Sequence, residues 1–69
     1  MSKLKEYYIN EGRHFNISDE MRQTILSHGF KFYNKYKCTG IHPFLGKIYL
    51  LDDNGEEHGL PYDPDVFVH

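Results

Sequence analysis

Tryptophan is absent from this chain of 69 residues, and cysteine occurs once, as Cys38. A single thiol excludes an internal disulfide and fits a reducing compartment. Arginine is scarce, with only Arg13 and Arg22. That argues against base-edge readout of nucleic acid, which favours the planar guanidinium fork. No apolar run approaches the ~20 residues of a membrane helix. Met1-Ser2-Lys3-Leu4-Lys5-Glu6 is not followed by the apolar stretch of a signal peptide, and no lipidation motif is present. The expectation is a soluble cytoplasmic domain with no membrane partner. No spacing assembles a nucleophile with its base and orienting group. The chain is also short for a ligand pocket of ordinary size. A non-enzyme is expected, and no cofactor is implied.

Aromatic side chains are plentiful, 16% of residues and all Tyr or Phe. They are the natural bulk of a small core, because each buries a large area with few rotamers to lose. One domain over 1–69 follows from the length. Such a domain is marginal, since ordering costs about 1.5 kcal/mol per residue and nearly cancels the burial gain. The net charge of −2 hides a split. Residues 1–40 hold seven Lys/Arg against four Asp/Glu, while residues 41–69 hold Lys47 against six acids. Five histidines would carry the total to +3 if all protonated.

Along the chain, segment 3–10 reads weakly as a short helix on the Leu4/Tyr8 pair, although Tyr7-Tyr8-Ile9 also suits a strand. Segment 18–28 is the clearest helix. Ser18 is the N-cap, Asp19 and Glu20 sit at the positive end of the dipole, and Gly29 supplies the C′ position. Met21, Ile25 and Leu26 form its apolar stripe. Segment 30–37 alternates as a strand, with Phe30, Phe32, Asn34 and Tyr36 on one face and Lys31, Tyr33, Lys35 and Lys37 on the other. Thr39-Gly40 ends that run. Residues 41–46 read as a loop laying Phe44 or Leu45 on the core. Residues 47–52 and 56–60 form a hairpin about Asn54-Gly55, the strongest short-range hairpin signal, with both central residues at positive φ. Gly59 and Pro61 stop the return strand, and Val66-Phe67-Val68 makes an edge strand. The segregated pattern gives an α+β fold: a short N-terminal helical half on a three- to four-stranded antiparallel β-meander. Exposed sheet edges in so small a domain invite self-association.

Four constellations stand out. The hairpin tip sets Asp53 opposite Glu56 and Asp52 opposite Glu57, and opposed like charges destabilise a strand pair unless solvated or met by a cationic partner. An EF-hand starting at Asp52 fails, because Glu57 and Asp63 occupy the places of the required Gly and Glu. The strand face Lys31, Tyr33, Lys35 and Lys37 has the lysine–aromatic interleaving that can hold phosphates while a ring stacks on a base. Its plainer meaning is a solvated outer face. Cys38 and His42 have a Cys-x3-His spacing, with His58, His28, His14 or His69 as further ligands, but no second tight pair completes a site. No metal is therefore assigned. The tail 60–69, with two prolines, is expected to lie along the protein's own core.

Together these readings lead to a small non-enzymatic interaction module, an inhibitor or regulator of a larger protein with a basic or mixed surface, of the size phages and mobile elements encode. Asp52, Asp53, Glu56, Glu57, Tyr49 and Tyr62 are its expected contact residues. The alternative is a nucleic-acid-binding protein using Lys31, Tyr33, Lys35 and Lys37.

Overall fold

The computed structural model describes residues 4–11 and 17–69. The elements are β1 (Lys5–Ile9), α1 (Asp19–Ser27), β2 (Lys35–His42), β3 (Lys47–Leu51), β4 (Glu57–Pro61) and β5 (Phe67–Val68). All strands join one antiparallel sheet in the order β4-β3-β2-β1-β5. Among the described residues the fold is α+β, with a single helix of nine residues and a sheet of five strands. It is therefore not a helical half on three or four strands.

The extra strand lies in segment 3–10, where the Leu4/Tyr8 pair weakly favours a helix and Tyr7-Tyr8-Ile9 suits a strand. Tyr7, Tyr8 and Ile9 are strong strand formers, and β1 lies inside the sheet, paired with β2 on one side and the edge strand β5 on the other. Leu4, the other half of the supposed helical pair, is exposed. An isolated helix this short is marginal in water, so long-range pairing decides the matter.

Helix α1 forms with the caps its sequence dictates, but of the expected stripe Met21, Ile25 and Leu26 only Met21 and Ile25 face the core, and Leu26 is exposed. Ser18 Oγ accepts the Met21 amide at 3.1 Å, and Asp19 and Glu20 occupy the first turn. Its end is a Schellman motif: Gly29 (φ 86°) donates to Leu26 O at 3.0 Å and Phe30 donates to Ile25 O at 3.2 Å. That cap turns Phe30 into the core beside Ile25, and both are fully buried.

The strand expected at 30–37 begins only at Lys35. Tyr33 has φ 67°, a left-handed conformation no regular strand accepts. Its amide donates to Ile9 O, and Asn34 O accepts the Ile9 amide at 3.0 Å. Phe30 and Tyr36 are buried and Phe32 is partly buried, but Asn34 is exposed. Thr39-Gly40 does not end β2. The register slips there in a bulge, and the strand continues to His42. Gly59 and Pro61 likewise lie inside β4, opposite Tyr49 and Lys47; Pro61 is tolerated because β4 is an edge strand.

One sheet face is the core. Tyr7, Ile9, Tyr36, Cys38, Ile48, Leu50 and Leu60 point inward and meet Ile25, Phe30, Val66 and Phe67. The tail supplies the last two, as expected, by crossing from the β4 edge to the β5 edge. Tyr62 stacks on Phe67 with ring centroids 6.4 Å apart, and its amide donates to Gly46 O at 2.8 Å. The opposite sheet face carries Glu6, Tyr8, Lys35, Lys37, Tyr49, Leu51 and Glu57, and α1 does not cover it.

Candidate functional site

The Asn54-Gly55 turn is a hairpin of a different kind from the one expected. Only Gly55 has a positive φ, 80°. Gly55 donates to Asp52 O at 2.9 Å and Asp52 donates to Glu56 O at 2.9 Å. This is a type I turn followed by a glycine bulge. The extra residue shifts the register: Asp52 faces Glu56, and Glu57 faces Leu51. Asp52 is consequently not a free contact residue. Its Oδ1 accepts the amides of Asn54 (2.8 Å) and Glu56 (2.9 Å), and its Oδ2 lies 2.8 Å from His58 Nε2. The Glu56 amide first, then His58, hold its carboxyl below the usual carboxylate range. Asp53 and Glu56 remain exposed, while Glu57 is exposed and takes a 2.5 Å bond from Thr39 Oγ1.

His58 connects this turn to the end of α1. Its Nδ1 lies 3.2 Å from Nδ1 of His28, and Phe30 stands edge-on to its ring at 5.4 Å. The Schellman cap is what places His28 there. Asp52, Glu56 and His58 form a group of metal-ligating side chains whose ligand atoms lie within 4.8 Å of one another. Among the described residues, no hydroxyl or thiol bonds to either histidine ring.

Tyr49 and Tyr62 lie on opposite sides of the sheet. Tyr49 is half-buried on the open face, with His42 edge-on at 5.7 Å. Tyr62 packs against the core. The six expected contact residues therefore do not form one surface.

The lysine–tyrosine constellation is also dispersed. Lys35 and Lys37 share the open face of β2, but Lys31 and Tyr33 belong to the irregular segment before it. The Tyr33 hydroxyl donates to Glu11 Oε1 at 3.1 Å, and its ring is tilted against Tyr8 with centroids 6.3 Å apart. Glu6 faces Lys37 across the β1–β2 pair. A shallow open groove there is lined by Glu6, Lys35, Lys37, Leu51 and Asp53, a mixture of both charge signs. Arg22 is engaged by Glu11 at 2.6 Å.

Cys38 and His42 are parted by the bulge. Cys38 faces inward opposite Leu50, and its Sγ donates to Gly40 O at 3.2 Å. One extra residue reverses the alternation, so His42 joins the open face beside Tyr49. His14 lies outside the described residues.

The β2–β3 turn departs from the core-facing loop expected over 41–46. Residues 43–46 connect His42 to Lys47, with Leu45 donating to His42 O at 3.0 Å and Gly46 (φ 64°) to Pro43 O at 3.2 Å. Pro43 presets the turn, and Gly46 supplies the left-handed residue that closes it. Phe44 and Leu45 therefore point away from the core: Phe44 is fully exposed and Leu45 is 76% exposed. His-Pro-Phe-Leu-Gly-Lys carries the signal of this turn, with an apolar centre between two strands. This tip and the acidic turn stand at opposite ends of β3, about 17 Å apart at ~3.4 Å per residue. Compared with protein-family models, curated proteins and solved structures, the chain finds no match.

Proposed function

We propose that this protein is a small non-enzymatic interaction module, an inhibitor or regulator of a larger protein, which inserts the Phe44-Leu45 tip into an apolar cleft of its partner. The observation that carries this reading is the complete exposure of Phe44 at the end of a fixed hairpin. A domain of this size has few large apolar side chains to leave in water, and among the described residues it keeps ten of them, with Cys38, in its core. Aromatic anchors held on rigid elements dominate binding energy, because little side-chain or loop entropy is lost on docking. The turn is held by its own two backbone bonds and by Tyr62 from the tail. Asp53 and Glu56 at the far end supply the negative field that steers approach to a basic or mixed surface.

The nucleic-acid reading draws little support, since Glu6 and Asp53 share the groove of Lys35 and Lys37. The test is affinity purification from the native host, with and without nuclease, using three variants: F44S/L45S, D53S/E56S and K35E/K37E. Loss of a stoichiometric protein with F44S/L45S alone supports the proposal. Recovery of nucleic acid that is lost with K35E/K37E overturns it.

A further inference from the structure

His28 and His58 stand thirty residues apart in sequence, one at the cap of α1 and the other on edge strand β4. Their Nδ1 atoms lie 3.2 Å apart, with the ring planes at 74°. Asp52 Oδ2, 2.8 Å from His58 Nε2, accepts a hydrogen bond from that nitrogen. A neutral His58 therefore keeps its hydrogen on Nε2 and turns the Nδ1 lone pair toward His28. Metal-ligating histidines are held in this way, one nitrogen on the ion and the other donating to a carboxylate that fixes the tautomer. Two imidazole nitrogens bound to one tetrahedral ion at ~2.0–2.1 Å stand about 3.3 Å apart.

We propose that His28 and His58 bind one divalent transition-metal ion of the zinc class between their Nδ1 atoms, with Asp52 positioning the His58 ring and solvent completing the coordination. Imidazole nitrogen suits zinc, copper and nickel rather than calcium or magnesium. Both histidines are partly exposed, so an ion and its waters can reach them. Phe30, edge-on to His58, supports the ring from below. Binding moves the His28 proton from Nδ1 to Nε2 and requires no net loss from the neutral pair. The other side of His58, where Asp52 and Glu56 gather, is the poorer place. There Asp52 Oδ1 is already held by two backbone amides and Oδ2 is engaged by His58 Nε2, so the carboxylate has little left to offer an ion. The bound ion would join the end of α1 to the β4 edge.

The experiment titrates zinc chloride into the full chain by calorimetry. It also follows the histidine ring nitrogens by long-range proton–nitrogen NMR. One equivalent is expected to bind, moving the Nδ1 resonances of His28 and His58 and sparing those of His42 and His69. The thermal midpoint is expected to rise with zinc concentration, as binding to the folded state alone requires. His28→Gln abolishes binding, Asp52→Asn weakens it about 10–100-fold, and Glu56→Gln leaves it unchanged. The NMR readout on the unaltered chain needs no variant to fold. The proposal is overturned by unmoved His28 and His58 resonances at millimolar zinc. It is equally overturned by binding that survives His28→Gln or that Glu56→Gln abolishes.

Discussion

The ring of Tyr49 lies across the backbone of Gly59: a Cβ placed on Gly59 would meet Tyr49 Cε1 at 2.9 Å. The two residues are register partners on β3 and β4. The missing side chain makes room for the ring, and the ring covers the bare backbone of the edge strand. Gly59→Ala forces the ring to tilt, and overpacking of this kind costs about 1–3 kcal/mol. Tyr49 is half-buried and can yield, so a loss near ~1 kcal/mol is expected at the lower end of that range. Gly40→Ala is the control, since its Cβ would meet Tyr49 Cδ2 at an ordinary 3.9 Å. Urea unfolding of both variants checks the difference, and equal losses would contradict it.

Phe30 is the C″ residue of the helix cap and stands edge-on to Tyr36, with centroids 4.7 Å apart. Phe30→Ala removes a fully buried ring and is expected to cost about 3–5 kcal/mol. A domain of this length has about 3–10 kcal/mol in total, at ~0.05–0.15 kcal/mol per residue. The variant is expected to be largely unfolded at 37 °C by circular dichroism. A cooperative melt close to that of the unaltered protein would contradict this.

Two carboxyls are held below their ordinary range: Asp52, chiefly by the Glu56 amide and then by His58, and Glu11, by Arg22 and then Tyr33. A lowered folded-state value means the unfolded chain takes up the proton first. The resulting stability is complete above the ordinary carboxylate value of about 4 and is lost as pH falls through the folded-state values. The thermal midpoint should therefore drop with acidification below about pH 4. In Asp52→Asn combined with Glu11→Gln the drop should be shallower across the same window. An unchanged slope would show that other groups control acid unfolding.

Phe44 and Leu45 contribute nothing to the core, so F44S/L45S is expected to keep the thermal midpoint within the scatter of surface substitutions, about ±0.5 kcal/mol. It should also raise solubility, by removing an exposed apolar patch. A large destabilisation would mean that the tip packs on something in solution, such as a second copy.

Where local chemistry decides structure, the residues were legible. Ser18, Asp19, Glu20 and Gly29 mark both ends of α1, and Asn54-Gly55 marks the β3–β4 hairpin. Non-local pairing was hidden. Nothing near Lys5–Ile9 announces the two strands that flank it, so the local Leu4/Tyr8 pair tips segment 3–10 weakly toward a helix. The β2 bulge was equally invisible, and it sends Cys38 and His42 to opposite faces. A single glycine bulge at Gly55 shifted the acidic register and committed Asp52 to the turn. The His28–His58 meeting depends on the cap of α1 reaching β4, a tertiary fact no spacing encodes. Apolar character alone places Phe44 and Leu45 on the core, while Pro43 and Gly46 set a turn that carries them outward.

The most direct measurement replaces Phe44 with a photo-crosslinking phenylalanine analogue in the native host, with Gln23 on the exposed face of α1 as the reference position. Position 44 is expected to crosslink one protein whether or not nuclease is present. Added unlabelled protein should abolish the crosslink, and added F44S/L45S protein should not. Crosslinking equal to that at position 23, or competed equally well by F44S/L45S, would contradict a binding function for this tip.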